Sequence, residues 1–193
     1  EYFEKTIDVL KNSLSCIDEK IYNKLVCECE TVLKNGGKII ASGLGKNAPI
    51  CEKFVGTMIS FGFDARFLHT NTALHGDIGM VTEKDLVFVF SKSGKTEESI
   101  SLTQHLLKRG CQIWLISCAD KSPLTEMIKN KIIIPLETEG DAWNISPNNS
   151  ATLYLILLQA LAIELNKKFN IKLEEYKKNH PGGGIGKQLK QIG

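Results

Sequence analysis

The sequence has little excess charge of either sign: 24 Lys and Arg stand against 22 Asp and Glu, a formal charge of +2 over 193 residues. No basic run exceeds a dipeptide, so the electrostatic footprint of a nucleic-acid or anionic-membrane binder is missing. Long hydrophobic runs are missing too. The strongest, residues 153–158 and 131–136, fall far short of the roughly 18 residues a transmembrane helix needs. No signal-peptide pattern opens the sequence, which begins at Glu1. The six cysteines, Cys16, Cys27, Cys29, Cys51, Cys111 and Cys118, form no CxxC pair and no metal-ligand array. They read as reduced thiols in a cytoplasmic setting, several of them filling apolar segments as small hydrophobes.

What is present is a regular alternation of patterns. Phe3, Ile7, Leu10, Leu14, Ile17, Ile21, Leu25, Cys29 and Val32 recur mostly at spacings of three and four, which is helical. Ser13, Ser15 and Asp18 interrupt the stripe as caps, so the spacing predicts two helices, about 2–14 and 18–34, closed by Gly36 and Gly37. Strands are predicted over 38–42, 64–69, 85–91, 112–118 and 132–137, with helices over 49–61, 96–108, 123–129 and 148–169, then a polar glycine-rich tail from His180 to Gly184. Nearly continuous apolar strands suit burial on both faces. The expectation is an α/β fold, a doubly wound parallel five-stranded sheet flanked by helices in a three-layer, flavodoxin-like or Rossmann-like sandwich. It forms one domain over 1–193, with N-terminal helices in 1–36 and the binding core in 37–193.

In such a fold ligands gather at the carboxyl ends of the strands. The first turn there, Ser42-Gly43-Leu44-Gly45-Lys46-Asn47-Ala48, matches G-x-G-x-x-A. A nicotinamide site would need an acid after the second strand, where this chain has His69-Thr70-Asn71, and the P-loop pattern GxxxxGK[ST] is absent. No cofactor is expected. What remains is a close-approach turn with a lysine, suited to a small anion. The sharper signal is Ser91-Lys92-Ser93-Gly94-Lys95-Thr96: hydroxyls, a glycine and a helix start together make a phosphate cradle. The competing reading is helix capping by Ser93 or Thr96. His69 and His75, six residues apart without a third ligand, are a poor metal motif, so no metal is expected and both are candidate substrate contacts.

Together, the Gly43-x-Gly45-Lys46 turn, Ala73-x-His75-Gly76-Asp77-x-Gly79-Met80-Val81, Ser91-x-Ser93-Gly94, Ser146-Pro147 and His180-Pro181-Gly182-Gly183 with Gly186 make the chain resemble the SIS (sugar isomerase) domain family. Within that family it is similar to the D-arabinose 5-phosphate isomerases, over about residues 36–189. The resemblance implies interconversion of D-ribulose 5-phosphate and D-arabinose 5-phosphate through a cis-enediol, feeding Kdo synthesis for lipopolysaccharide or capsule. Lys46, Glu98, Glu139 and His180 fall where the family's catalytic residues would be. Substrate binding is assigned to Gly43, Gly45, His69, His75, Ser91, Ser93, Gly94 and Thr96. Singly, Glu98 also reads as an anion on a helix dipole, Glu139 as a solvated loop acid, and His180 as a surface residue. The resemblance further implies a homodimer or homotetramer and a short form without CBS domains. The chain departs from the family pattern with Asn47-Ala48 in place of a Ser-Gly after the glycine turn, and with Lys92 and Lys95 in place of an Asn and a Glu. Isomerisation of a hexulose or sedoheptulose phosphate, or sugar-phosphate sensing without catalysis, are the alternatives.

Overall fold

Asp18 divides the N-terminal stripe as its chemistry predicts. In the computed structural model, which describes residues 1–192, α1 (Tyr2–Ser15) ends just before it, and its carboxylate accepts from Lys20 N and Ile21 N at 2.7 and 3.2 Å to start α2 (Glu19–Lys34). The chain then alternates through β1 (Ile39–Gly43), α3 (Asn47–Ser60), β2 (Ala65–His69), α4 (Thr70–Ala73) and a 3-10 turn (Asp77–Met80). It continues through β3 (Leu86–Phe90), α5 (Glu97–Arg109), β4 (Gln112–Ser117), α6 (Pro123–Met127), β5 (Asn130–Ile133) and α7 (Asn149–Phe169). The strands form one parallel sheet in the order β2-β1-β3-β4-β5.

Alternation along the strands builds two cores. Ile39, Ala41, Phe88, Phe90, Trp114 and Ile116 pack with Leu25 of α2, Phe54 of α3 and Leu157 of α7. Their neighbours Ile40, Val87, Val89 and Leu115 pack on the other face with Ala73 of α4, Leu102 and Leu106 of α5, and Leu124 of α6. Each such leucine or phenylalanine removed from water is worth about 1.5–3 kcal/mol, and β1 and β3, buried along their whole length, sit where both cores contribute. At the amino edge, buried Asp85 accepts from Lys38 N at 2.8 Å and pairs with Lys38 Nζ at 3.0 Å, tying β3 to β1. No helix among the described residues is long and apolar enough to cross a membrane.

Two expectations need correction. β5 covers Asn130–Ile133, not 132–137: Ile134 N makes a last bond to Ser117 O at 2.8 Å, and Pro135 has no N–H with which to continue the ladder. The C-terminal tail is helical, with α8 (Leu173–Lys178) and α9 (Gly183–Gln191) on either side of the His180-Pro181 turn. Gly186 allows this packing, since a Cβ there would lie 2.7 Å from His180 O. The outer strands are guarded. Exposed Arg66 on β2 pairs with Asp64 at 3.2 Å, and Lys131 on the short β5 is drawn to Thr125 O at 2.8 Å.

Candidate active site

β1 leads to α3 on one face of the sheet and β3 leads to α5 on the other, so a crevice opens between their carboxyl ends, the switch point where α/β sheets bind ligands. Gly43 lets α3 start close to the strand, since a Cβ on it would lie 2.8 Å from that of Asn47. Asn47 Nδ2 then reaches across the crevice to Phe90 O at 3.5 Å. Gly45 turns with a φ of +59°, and Lys46 stands exposed at the start of α3.

Across the crevice, the residues from Ser91 to Thr96 fold into a cup. Buried Ser91 Oγ accepts from Gly94 N at 3.1 Å and lies 3.2 Å from Thr96 Oγ1; Ser93 Oγ accepts from Lys95 N at 3.2 Å and remains exposed. Thr96 occupies the N-cap position of α5, yet no side chain caps that helix. The capping alternative therefore does not account for these hydroxyls. The first-turn amides of α5 face outward with the positive end of the helix dipole, the arrangement that receives a phosphate. Gly94 has φ +62°, and a Cβ there would overlap the Ser122 hydroxyl and come 2.7 Å from Ser122 Cβ. Gly94→Ala combines a left-handed backbone with overpacking, each worth about 1–2 kcal/mol. We expect a loss of about 3 kcal/mol in urea unfolding; a change under about 0.5 kcal/mol would show that the cup is not held by this contact.

The remaining expected residues separate into three groups. Glu98 is exposed in the first turn of α5. At about 3.6 residues per turn, it lies on the flank of the face formed by Ser99, Leu102, Thr103 and Leu106, whereas Glu97 points away from it. His69 is half-buried at the end of β2, its Nδ1 accepting from Asn71 N at 3.3 Å, and His75 is exposed on the turn after α4. Both histidines therefore follow the carboxyl end of β2, next to β1.

Glu139 is at the expected edge but closed. Its carboxylate is 0% exposed, with Oε1 taking Lys92 Nζ at 2.7 Å and Ser150 Oγ at 2.6 Å, and Oε2 taking Ser150 N at 2.9 Å and Asn148 N at 3.0 Å. Burial pushes this carboxyl up, but the Lys92 ammonium and the Ser150 hydroxyl and amide together hold it below the usual carboxylate range. It is not a solvated loop acid, and these partners close it off from the crevice. Lys92 is thereby held in an ion pair. Ser150 was missed in the sequence; its one signal there is the polar run Ser146-Pro147-Asn148-Asn149-Ser150 opening a long apolar helix.

His180 lies elsewhere. Its Nδ1 is 2.8 Å from Tyr176 O, its ring stacks on Tyr176 at 4.0 Å, and neighbouring Asn179 donates to Ser60 O at 3.2 Å. Ser60 ends α3, whose 14 residues span about 20 Å from the Lys46 end. His180 therefore sits toward the amino edge of the sheet, remote from the cradle of its own chain.

Comparison with known proteins agrees with this architecture. The chain is 30% identical over 186 residues to arabinose 5-phosphate isomerase KdsD of Pseudomonas aeruginosa, an alignment covering 96% of this chain and 57% of that protein. The chain thus spans little more than half the length of that relative. Among solved structures it superposes on the c3406 protein of E. coli CFT073 in complex with arabinose 5-phosphate, with a TM-score of 0.86 and 25% identity, covering 93% of this chain and 94% of the other. A Bacteroides fragilis NCTC 9343 protein, proposed to be a phosphosugar isomerase involved in capsule formation, gives a TM-score of 0.84 and 29% identity over 95% of this chain and 97% of that one. The SIS domain profile matches residues 32–164, in register with this sheet and its crevice, and the chain belongs to the SIS domain family.

Proposed function

We propose that this chain is an aldose-ketose isomerase of sugar phosphates, with D-ribulose 5-phosphate and D-arabinose 5-phosphate as its pair and supply of Kdo synthesis as its setting. The observation that carries the reading is the hydroxyl-lined, uncapped start of α5, which bears an open carboxylate, Glu98, in the same turn. Phosphate recognition alone needs no such carboxylate, whereas aldose-ketose exchange needs a base beside the substrate.

In this mechanism Ser91, Ser93, Thr96 and the α5 amides seat the phosphate, while Gly43, Gly45, His69 and His75 bound the sugar. Glu98 takes the proton from the carbon next to the carbonyl as the carbonyl oxygen gains one, giving a cis-enediol, and returns it to the neighbouring carbon as the other oxygen gives up its proton and becomes the carbonyl. Lys46 polarises the substrate oxygens as charge develops on them. Ring opening falls to His180, and because Asn179 ties its turn to Ser60, about 20 Å along α3 from the Lys46 end, the histidine comes from a second copy of the chain. Exposed Tyr2, Phe3 and Ile7 of α1, with Ile156 and Ile163 of α7, offer apolar surface for that association.

The test is proton exchange in deuterated water, followed by NMR with ribulose 5-phosphate, arabinose 5-phosphate, a 3-hexulose 6-phosphate and sedoheptulose 7-phosphate. Exchange at carbon 2 of arabinose 5-phosphate and at carbon 1 of ribulose 5-phosphate is expected. Exchange confined to a six- or seven-carbon sugar reassigns the substrate, and tight binding of arabinose 5-phosphate without exchange assigns the chain to sensing.

A further inference from the structure

Glu139 has four hydrogen-bond donors, and one of them sits at the end of a long, part-exposed side chain. Ser150 Oγ, Ser150 N and Asn148 N all come from the start of α7. The fourth, Lys92 Nζ, is carried on a long side chain that is 38% exposed and rooted between Ser91 and Ser93 of the cradle. The Lys92 backbone is fixed, its carbonyl accepting from Cys118 N at 3.2 Å and Ser117 Oγ at 3.1 Å. Only the alkyl chain is free to redirect the charge. A phosphate monoester brings about 1.5 to 2 negative charges at pH 7, against one on Glu139, into the loop that carries Lys92.

We propose that Lys92 is a positioning residue exchanged between two anions: in this structure it closes over Glu139, and when a sugar phosphate seats among Ser91, Ser93 and Thr96 the ammonium turns to the phosphate and uncovers the Glu139 carboxylate. The inference rests on the sugar-phosphate reading above. Exchange removes the cation that most favours ionised Glu139, so the carboxylate gains proton affinity as it gains access to substrate. It then takes the proton of the substrate hydroxyl that becomes the new carbonyl and delivers it to the former carbonyl oxygen, which leaves the carboxylate as it began. The other titratable groups facing Glu139 are Cys118 after β4 and Tyr154 of α7, 3.4 Å apart. Burial pushes both up, so both stay neutral near pH 7 and Lys92 is the charge that faces the carboxylate.

Inorganic phosphate is the probe, with binding followed by calorimetry. Lys92→Gln weakens phosphate binding about tenfold, the scale of one charge-assisted hydrogen bond. Glu139→Gln removes the competing anion at constant size and tightens binding about tenfold. The double variant binds as weakly as Lys92→Gln alone, so the two effects do not add. Weakened or unchanged binding in Glu139→Gln overturns the exchange, as does a wild-type chain that takes up no phosphate. Should Glu139→Gln fold poorly, a phosphate-bound structure of the wild type decides: Lys92 Nζ on the phosphate supports exchange, and Lys92 Nζ still on Glu139 overturns it. Intact binding signs without turnover of any sugar phosphate sink the isomerase reading alone, and reversed signs with full turnover sink the exchange alone.

Discussion

Replacing Glu98 by glutamine is expected to lower kcat for arabinose 5-phosphate by about 10³-fold with little change in KM, the scale of one general base. The substitution keeps size and hydrogen bonding while removing proton affinity, so loss confined to kcat reports proton transfer. If Glu98 served only the α5 dipole, its loss would cost about 0.5 kcal/mol of stability and leave turnover intact. Glu97→Gln is the matched control: it removes the same charge from the same turn, on the side facing away from the sheet, and should leave kcat within about twofold, as surface changes do. A Glu98→Gln variant that kept more than a tenth of wild-type kcat would return the carbon proton to another group.

His180→Ala should reduce turnover by about 10²-fold or more, the contribution of one acid/base group. The test with most power is complementation. Lys46→Ala and His180→Ala chains, each nearly inactive, are co-expressed. If His180 acts in a partner's site, a mixed dimer has one site carrying both lesions and one carrying neither, and random pairing restores about a quarter of wild-type activity through a two-fold interface. If each chain used its own His180, both sites of every mixed dimer would be defective. Absence of rescue with demonstrated mixing would therefore overturn the shared site.

Much of the fold was legible because the signals were local. Leu86–Phe90 is uninterrupted apolar sequence and is a buried strand; Asp18 breaks the N-terminal stripe and caps α2. β5 was misplaced because Ile132 to Leu136 reads as one strand by composition, while pairing with β4 starts at Asn130 and stops where proline has no donor. Glycines at 182–184 suggested an irregular tail, although Gly186 and Leu189 form the buried side of α9. At the site, the hydroxyl-rich loop after β3 was readable because its chemistry is contiguous. The state of Glu139 was not, since its partners lie at Lys92, Asn148 and Ser150, and spacing does not show which loops fold over one another. The end of the sheet at which His180 lies was not readable either, since it depends on where α8 docks against α3.

The guarded outer strands constrain how copies can meet. Arg66 on β2, and the brevity of β5 with Lys131 beside it, discourage backbone pairing between sheets, as charged or short edges do. Growth into a continuous inter-subunit sheet is thereby disfavoured, and with it the open-ended aggregation that exposed edges invite. The shared site proposed above would then be built through helix surfaces, such as the exposed apolar side chains of α1 and α7, rather than through the sheet.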